Sequence, residues 1–215
     1  ETKEDASIVD AASSPDSQNK PAKRPSNREK ETGRMLSKER TGNNRMFKSA
    51  FDAITGNADN YWPAEMRDDI EEVNARIYDT VNNGVYKSGF ATTQAAYDAA
   101  VAPLFDTLDW LEARLGEGRY LMGDKMTEAD WRLWTTLVRF DNVYHLHFKC
   151  NRKRIVDYPN LWGFTRELYQ VAGVAETVNM NHIVRHYHYS HETINPNRII
   201  PINPQLDFME PHGRG

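Results

Sequence analysis

Four histidines lie within ten positions near the end of the sequence, and they are the most obvious candidates for metal chemistry: His182, His186, His188 and His191. The first two have the i, i+4 spacing that places two imidazoles on one helix face, so the sharpest interpretation is a zinc site. No glutamate lies between them as in metalloprotease helices, and no third ligand is evident. We therefore predict no metal here and assign these histidines to structure or to substrate contact.

Cys150 is the only thiol in the sequence, and it is flanked by the basic residues Lys149 and Arg152. Basic neighbours lower a thiol pKa, so a nucleophilic cysteine is one interpretation of this segment. A single cysteine cannot form an internal disulfide, which suits a reducing compartment, and we predict the cytosol. His145 and His147 alternate near a predicted helix end, where the helix dipole favours charged imidazole.

Two tyrosines, Tyr86 and Tyr187, are candidates for binding an aromatic substrate. A phenol can donate to a phenolate oxygen, accept from a phenol, and present an aromatic wall to a ring. Considered without any family resemblance, both residues are better explained as helix-packing tyrosines. Tyr86 lies in the segment 78–91, where polar and glycine residues are so specifically placed that we interpret it as a functional loop.

Hydrophobic periodicity predicts an all-α domain that would position these side chains. The first predicted helix begins at Pro63 and ends at Asn82–Gly84. The second begins near Thr92 or Thr93, carries a regular apolar stripe and ends at Gly116 and Gly118. Pro103 lies within this second helix, so we expect a kink or an opened turn there. No strand and no internal repeat is predicted.

A capping box predicts the start of a third, central helix. Thr127 supplies an N-cap hydroxyl and Asp130 a carboxylate three residues later, so that each can bind a free amide of the first turn. The helix is apolar around most of its circumference and continues to about Tyr144. Further helices are predicted after Pro159 and around 182–187, followed by an irregular tail.

Composition divides the sequence near Asn44. Residues 1–44 contain no aromatic side chain and few apolar ones, which predicts a disordered tail, whereas 45–215 can bury a core. The tail is basic between Lys20 and Arg40, but no aromatic side chain is interleaved for stacking on bases, and the net charge is −4. Nucleic acid is therefore not an expected partner. No apolar stretch approaches the roughly 18 residues that a membrane span requires.

Several segments resemble one enzyme family. The stretch Tyr-Asp-Thr-Val-Asn-Asn-Gly-Val-Tyr-Lys-Ser-Gly-Phe-Ala at 78–91 closely resembles the glutathionyl-hydroquinone reductases, the Xi class of glutathione transferases, and the resemblance continues to Gly213. The stretch Tyr-Leu-Met-Gly-Asp-Lys-Met-Thr-Glu-Ala-Asp at 120–130 resembles the helix start found across glutathione transferase C-terminal domains. The sequence is identified as such a C-terminal helical bundle.

The resemblance implies roles for particular residues. Tyr86 and Tyr187 match positions that contact hydroquinone hydroxyls, whereas Phe-Lys-Cys at 148–150 matches a non-catalytic feature. The family's nucleophilic cysteine belongs to an N-terminal thioredoxin-like domain with a Cys-Pro-Trp motif, and neither motif nor βαβ pattern precedes Arg45 in this sequence. We therefore expect no catalytic residue in this chain.

The resemblance also implies the reaction and its partners. The expected substrates are conjugates of glutathione with quinones or hydroquinones, glutathione is the co-substrate, and a homodimer is expected. The reaction would be reductive deglutathionylation, in which a thiolate attacks the sulfur, the hydroquinone leaves, and a second glutathione resolves the mixed disulfide. This polypeptide alone is expected to be inactive. The alternative is a non-enzymatic binding or dimerisation module with a basic arm.

Overall fold

The computed structural model describes residues 27–28, 35–37, 45, 54, 56 and 59–215, and the chain forms two units, Glu1–Asn57 and Ala58–Gly215. In the first unit, strand β1 (Asn27–Arg28) pairs antiparallel with β2 (Met35–Ser37). These strands are too short to show the period-two alternation by which strands are recognised in sequence, which is why none was predicted. The rest of the predicted disordered tail 1–44 lies outside the described residues.

The second unit is a helical domain, which confirms the predicted all-α class. Its α-helices are α1 (Arg67–Ile77), α2 (Gly84–Gly89), α3 (Gln94–Glu117), α4 (Glu128–Arg139), α5 (His145–His147), α6 (Pro159–Tyr169) and α7 (Met180–Ser190). Two π-helical segments, Tyr78–Asn82 and Phe140–Tyr144, follow α1 and α4. Short 3-10 turns lie at Ala64–Met66, Ile155–Asp157 and Ala175–Thr177. None of the helices in the described ranges is long and apolar enough to cross a membrane.

The segment 78–91, predicted as a loop, is helical over most of its length. The π-helical segment continues α1 to Asn82, and α2 begins directly after Asn83. The Asn82 side-chain amide donates to the Thr136 hydroxyl at 2.6 Å and to the Arg132 carbonyl at 3.0 Å, so the widened turn is fixed to α4. The loop prediction was wrong because the residues on both sides of Asn83 are helical, whereas the predicted helix end at Asn82–Gly84 is confirmed, since the π-helical segment ends at Asn82. Widened π turns are frequent at functional sites.

Helix α3 begins and ends close to the predicted residues. Thr93 accepts a hydrogen bond from the Ala96 amide at 3.2 Å, and Gly118 follows the last helical residue. Pro103 lies inside α3 without dividing it into two helices. The face turned to the core contains Ala100, Leu104, Phe105, Thr107, Leu108, Leu111 and Leu115.

Helix α4 begins at a fully buried capping box. The Asp130 carboxylate accepts from the Thr127 amide at 2.7 Å and the Thr127 hydroxyl at 3.0 Å. It also accepts from the Leu121 amide at 2.8 Å, so it ties the preceding turn to the helix start. Burial raises the pKa of Asp130 to about 6, although these donors favour its charged form.

Helix α6 receives its N-terminal cap from another helix. Both Glu112 oxygens, on α3, accept from the amides of Asn160 and Leu161, at 2.9 and 2.8 Å. The Asn160 side chain does not cap the helix itself; its amide donates to the Glu112 carbonyl at 3.2 Å. Two free amides at a partly buried helix start are therefore satisfied by a residue 48 and 49 positions away.

The C-terminal tail contains no helix, as the sequence predicts, and it returns to the domain through Arg214. This guanidinium lies 3.2 Å from buried Glu167 and donates to the carbonyls of Leu115, Gly118 and Arg119 at the end of α3. A cation at a helix C-terminus is favoured by the helix dipole. The Glu167 carboxylate also offsets the cost of burying the Arg214 charge. The tail therefore links α3 and α6.

We predict that Asp130→Ala lowers the free energy of unfolding by about 1–3 kcal/mol, because the substitution leaves the buried Thr127 and Leu121 amides without an acceptor. Urea denaturation followed by circular dichroism measures this change. Asp124→Ala, at an exposed turn residue nearby, is the control and should change stability little. An unaltered unfolding midpoint for the Asp130 variant would show that the capping box does not stabilise the domain.

Candidate functional site

Three tyrosine hydroxyls form a hydrogen-bonded chain at one end of the domain. Tyr86 on α2 and Tyr187 on α7 place their hydroxyl oxygens 2.6 Å apart, although they are 101 positions apart in sequence. Tyr144, at the end of the second π-helical segment, lies 2.9 Å from the Tyr187 oxygen. Tyr86 is 38% exposed, Tyr187 is 8% exposed and Tyr144 is 2% exposed. The chain of hydroxyls therefore runs from the surface into the core.

Phe148 forms the apolar side of this cluster. Its ring stacks on Tyr144 with centroids 5.5 Å apart and planes at 13°, and it contacts Tyr86 at 5.2 Å. Gly89 makes this position possible, because a Cβ there would lie 2.2–2.8 Å from Phe148. Phe90 also contacts Phe148 and remains 44% exposed. The hydroxyls therefore lie in an aromatic wall that is open at Tyr86 and Phe90.

The hydroxyls in the buried part of the chain remain protonated at neutral pH. Burial raises the pKa of Tyr144, and the neighbouring phenols raise it further. Burial also raises the pKa of Tyr187, to about 12, while Arg139 acts in the opposite direction. These two phenols can therefore donate protons in hydrogen bonds but do not supply a phenolate.

The structure brings together histidines other than the predicted pair. His182 and His186 are exposed on α7. Instead, His147 and His191 share a hydrogen bond of 3.0 Å between Nε2 and Nδ1, and the His188 ring lies 4.5 Å from that of His147. No group of residues suited to a metal ion occurs within the described part of the chain.

His147 is buried and neutral, which corrects its interpretation as a charged, dipole-stabilised imidazole. It is 5% exposed, and burial lowers its pKa to about 4, with smaller effects from His188, His191 and Lys149. Desolvation therefore outweighs the helix-end effect. The α5 helix is only three residues long, so its dipole offers little compensation.

Cys150 does not have the properties of a nucleophile. It is fully buried, and its thiol lies 3.7 Å from the Phe148 carbonyl. Burial raises the thiol pKa to about 12, although Ser88 and Lys149 lower it. The basic neighbours considered in the sequence therefore do not produce a reactive thiolate.

The arrangement is suited to binding a planar ring that carries oxygen. The aromatic wall can contact the ring face and the phenols can bind its oxygen, whereas the described residues of this cluster include no thiolate. Sequence reasoning identified Tyr86 and Tyr187 but missed Tyr144 and Phe148. Both missed residues lie after α4 in the segment 140–148, where apolar and polar residues are mixed, so a core position was the natural interpretation and no local signal distinguished them.

Comparisons with known proteins find relatives among the glutathione transferases. Residues 94–167 match the family described as glutathione S-transferase, C-terminal domain. The chain is 60% identical over 170 residues to glutathionyl-hydroquinone reductase YqjG of Escherichia coli, covering 79% of this chain and 52% of that protein. It therefore spans about half the length of this curated relative.

Solved structures of glutathione transferases also resemble this chain. The glutathione-bound structure of YqjG from Escherichia coli has a TM-score of 0.82 and 58% identity, covering 84% of this chain and 59% of that one. The Xi-class glutathione transferase of Natrialba magadii has a TM-score of 0.83 and 44% identity, covering 87% of this chain and 57% of that one.

We predict that Gly89→Ala destabilises the domain by about 1–3 kcal/mol, because the added methyl group overlaps Phe148 at its Cβ and Cγ atoms. Gly84→Ala is a matched control in the same helix. Its Cβ would meet Leu104 at an ordinary 3.7 Å, so this variant should be neutral or slightly stabilised. Equal denaturation midpoints for the two variants would contradict the close packing of Phe148 against Gly89.

We also predict that His147 makes stability fall with acidification. Its pKa is lowered from 6.5 in the unfolded chain to about 4 in the folded one, so its contribution is present above pH 6.5 and is lost as the pH falls toward 4. The difference in unfolding free energy between wild type and His147→Gln should therefore shrink between pH 7 and pH 5. His182→Gln, at an exposed position, is the control. A pH-independent difference would indicate that His147 is protonated equally in both states.

Proposed function

The helical region of this chain is a C-terminal domain of the Xi class of glutathione transferases, the class of the glutathionyl-hydroquinone reductases, and from this premise we propose that it forms the hydroquinone-binding part of a glutathione-dependent reductase. The substrate class is glutathionyl-hydroquinones, and the reaction removes glutathione from the ring. The thiolate would come from a separate thioredoxin-like domain, as the family resemblance implies.

The observation that carries the proposal is the pairing of the Tyr86 and Tyr187 hydroxyls at 2.6 Å beside an aromatic wall. Two phenols from different helices supply hydrogen bonds for ring oxygens, and the exposed edges of Tyr86 and Phe90 supply contact area for the ring. The hydroxyl pair is therefore within reach of a ring that binds against the exposed edge of Tyr86.

The proposed chemistry is a reductive cleavage of a thioether, followed by thiol–disulfide exchange. A thiolate attacks the sulfur of the conjugate, a sulfur–sulfur bond forms, and the bond between sulfur and the ring carbon breaks. The electron pair passes to the ring, which takes up a proton and leaves as the hydroquinone. A second glutathione then releases the first as a disulfide. In this scheme, the tyrosines of this chain stabilise negative charge that develops on the ring oxygens.

Several accompanying proposals follow from the same assignment. Glutathione is the co-substrate, in keeping with the glutathione-bound structure of the Escherichia coli relative. We propose that the protein acts as a homodimer in the cytosol, where its single buried thiol remains reduced. The chain alone is proposed to be inactive, because Cys150 is inaccessible and protonated.

A chimera tests the assignment. Residues 58–215 would be joined to the N-terminal half of the Escherichia coli reductase that this chain does not cover, and turnover of glutathionyl-menadione with glutathione would be measured. We predict activity in the chimera and none in the chain alone. Tyr86→Phe and Tyr187→Phe should each reduce kcat/KM about tenfold or more, since a hydrogen bond to a charged oxygen contributes about 1.5–3 kcal/mol.

Tyr189→Phe is the matched control. It lies on α7 with Tyr187, is about half exposed, and faces the Arg198 guanidinium, so its loss should leave activity intact. Full activity in both site variants would show that Tyr86 and Tyr187 only pack the helices together. An inactive wild-type chimera that folds would favour the non-enzymatic module.

A further inference from the structure

The three phenols of the site have more protons than hydrogen bonds. Tyr86, Tyr187 and Tyr144 carry one hydroxyl proton each, and two hydrogen bonds join them. Each bond uses one proton, so one proton remains for a ligand or solvent. Which phenol carries this proton decides whether the site donates a hydrogen bond to a bound oxygen or accepts one from it.

Tyr144 fixes the first bond. Its side chain is 2% exposed, and among the described residues its hydroxyl has only phenol oxygens as partners. Its ring is enclosed by Phe148, stacked at 5.5 Å, and by Phe140, edge-on at 6.2 Å. A buried hydroxyl proton without an acceptor would be costly, so Tyr144 donates to Tyr187.

The second bond follows from the exposure of the two remaining phenols. If Tyr86 donated to Tyr187, the Tyr187 hydroxyl proton would need another acceptor. The Tyr187 side chain is only 8% exposed, so solvent offers little chance of one. If Tyr187 donates to Tyr86, the remaining proton lies on the side chain that is 38% exposed. The second arrangement is a one-directional chain in which each bond polarises the next.

We propose that Tyr144 is a positioning residue that sets the direction of the phenol chain, so that Tyr86 presents a donor to the ligand and the site selects the phenolate form of a bound phenol. This inference rests on the proposed function, because it assumes that a ring oxygen binds at Tyr86. It deepens that function by specifying the ionisation state that the site recognises.

The charged and titratable groups around the chain are compatible with an anionic oxygen. The Arg139 guanidinium, at the end of α4, is close enough to lower the pKa of Tyr187. The rings of His186 and His191 lie 5.4 and 5.5 Å from the Tyr187 ring, and His147 stacks on Phe148. On α2, Lys87 follows Tyr86 and forms an ion pair with Asp79 at 2.6 Å, so the negative charge of Asp79 is compensated.

The test uses 4-nitrophenol, whose phenolate is coloured and whose phenol is not, with the chain as it stands. Absorbance across a pH series gives the ratio of phenolate to phenol affinity for the bound probe. We expect wild type to favour the phenolate. Tyr144→Phe should reduce that ratio about fivefold to tenfold, because a water in place of the Tyr144 hydroxyl can accept the Tyr187 proton, so that Tyr86 can donate to Tyr187 instead. Binding of 4-nitroanisole, which cannot ionise, should be unchanged.

Tyr158→Phe is the matched control, because Tyr158 is equally buried and its hydroxyl makes one strong hydrogen bond, to Asp109 at 2.8 Å, away from the phenol chain. Thermal unfolding verifies that each variant is folded. An unchanged affinity ratio in Tyr144→Phe, or an equal change in Tyr158→Phe, overturns this inference alone. Failure of the wild-type chain to bind either probe overturns the proposed function as well.

Discussion

The packing of the Phe148 ring against the bare backbone of Gly89 is the contact on which the site depends. A methyl group at Gly89 would overlap the ring, so α2 and the segment after α5 can approach closely only with glycine at this position. The ring in turn stacks on Tyr144 and contacts Tyr86 and Tyr187. Three parts of the chain that are distant in sequence therefore present their hydroxyls at one place, because protein interiors are too densely packed for the ring to move aside.

Carboxylates that accept hydrogen bonds from amides at the starts of helical segments provide the frame around this contact. Asp130 accepts the amides that begin α4, Glu112 accepts those that begin α6, and Asp141 accepts the Ile155 amide at 2.7 Å and the Val156 amide at 3.1 Å. Each carboxylate loses hydration on burial and recovers part of that cost through charge-assisted hydrogen bonds to amides that would otherwise be unsatisfied. Helix starts held in this way keep the side chains of the site in defined positions.

The site separates binding from covalent chemistry. The raised pKa of Tyr187 keeps its phenol protonated, burial lowers the pKa of His147, and the Cys150 thiol is enclosed, so these groups can orient and stabilise a ring without reacting with it. Such pre-organised donors stabilise developing charge more effectively in an apolar wall than in water, because they need not reorient during the reaction. In the proposed function, the thiolate and glutathione belong to the other half of the enzyme.

The sequence by itself determined the all-α class, the starts of α3 and α4 at Thr93 and Thr127, the family, and Tyr86 and Tyr187 as candidates, because caps, apolar periodicity and family motifs are local patterns. Only the tertiary structure decided that Tyr144 joins these tyrosines, that His147 is buried and neutral, and that Glu112 caps α6. These features depend on partners 43 to 101 positions apart. Burial and pairing across such distances arise when the helices pack, so no local pattern of residues specifies them.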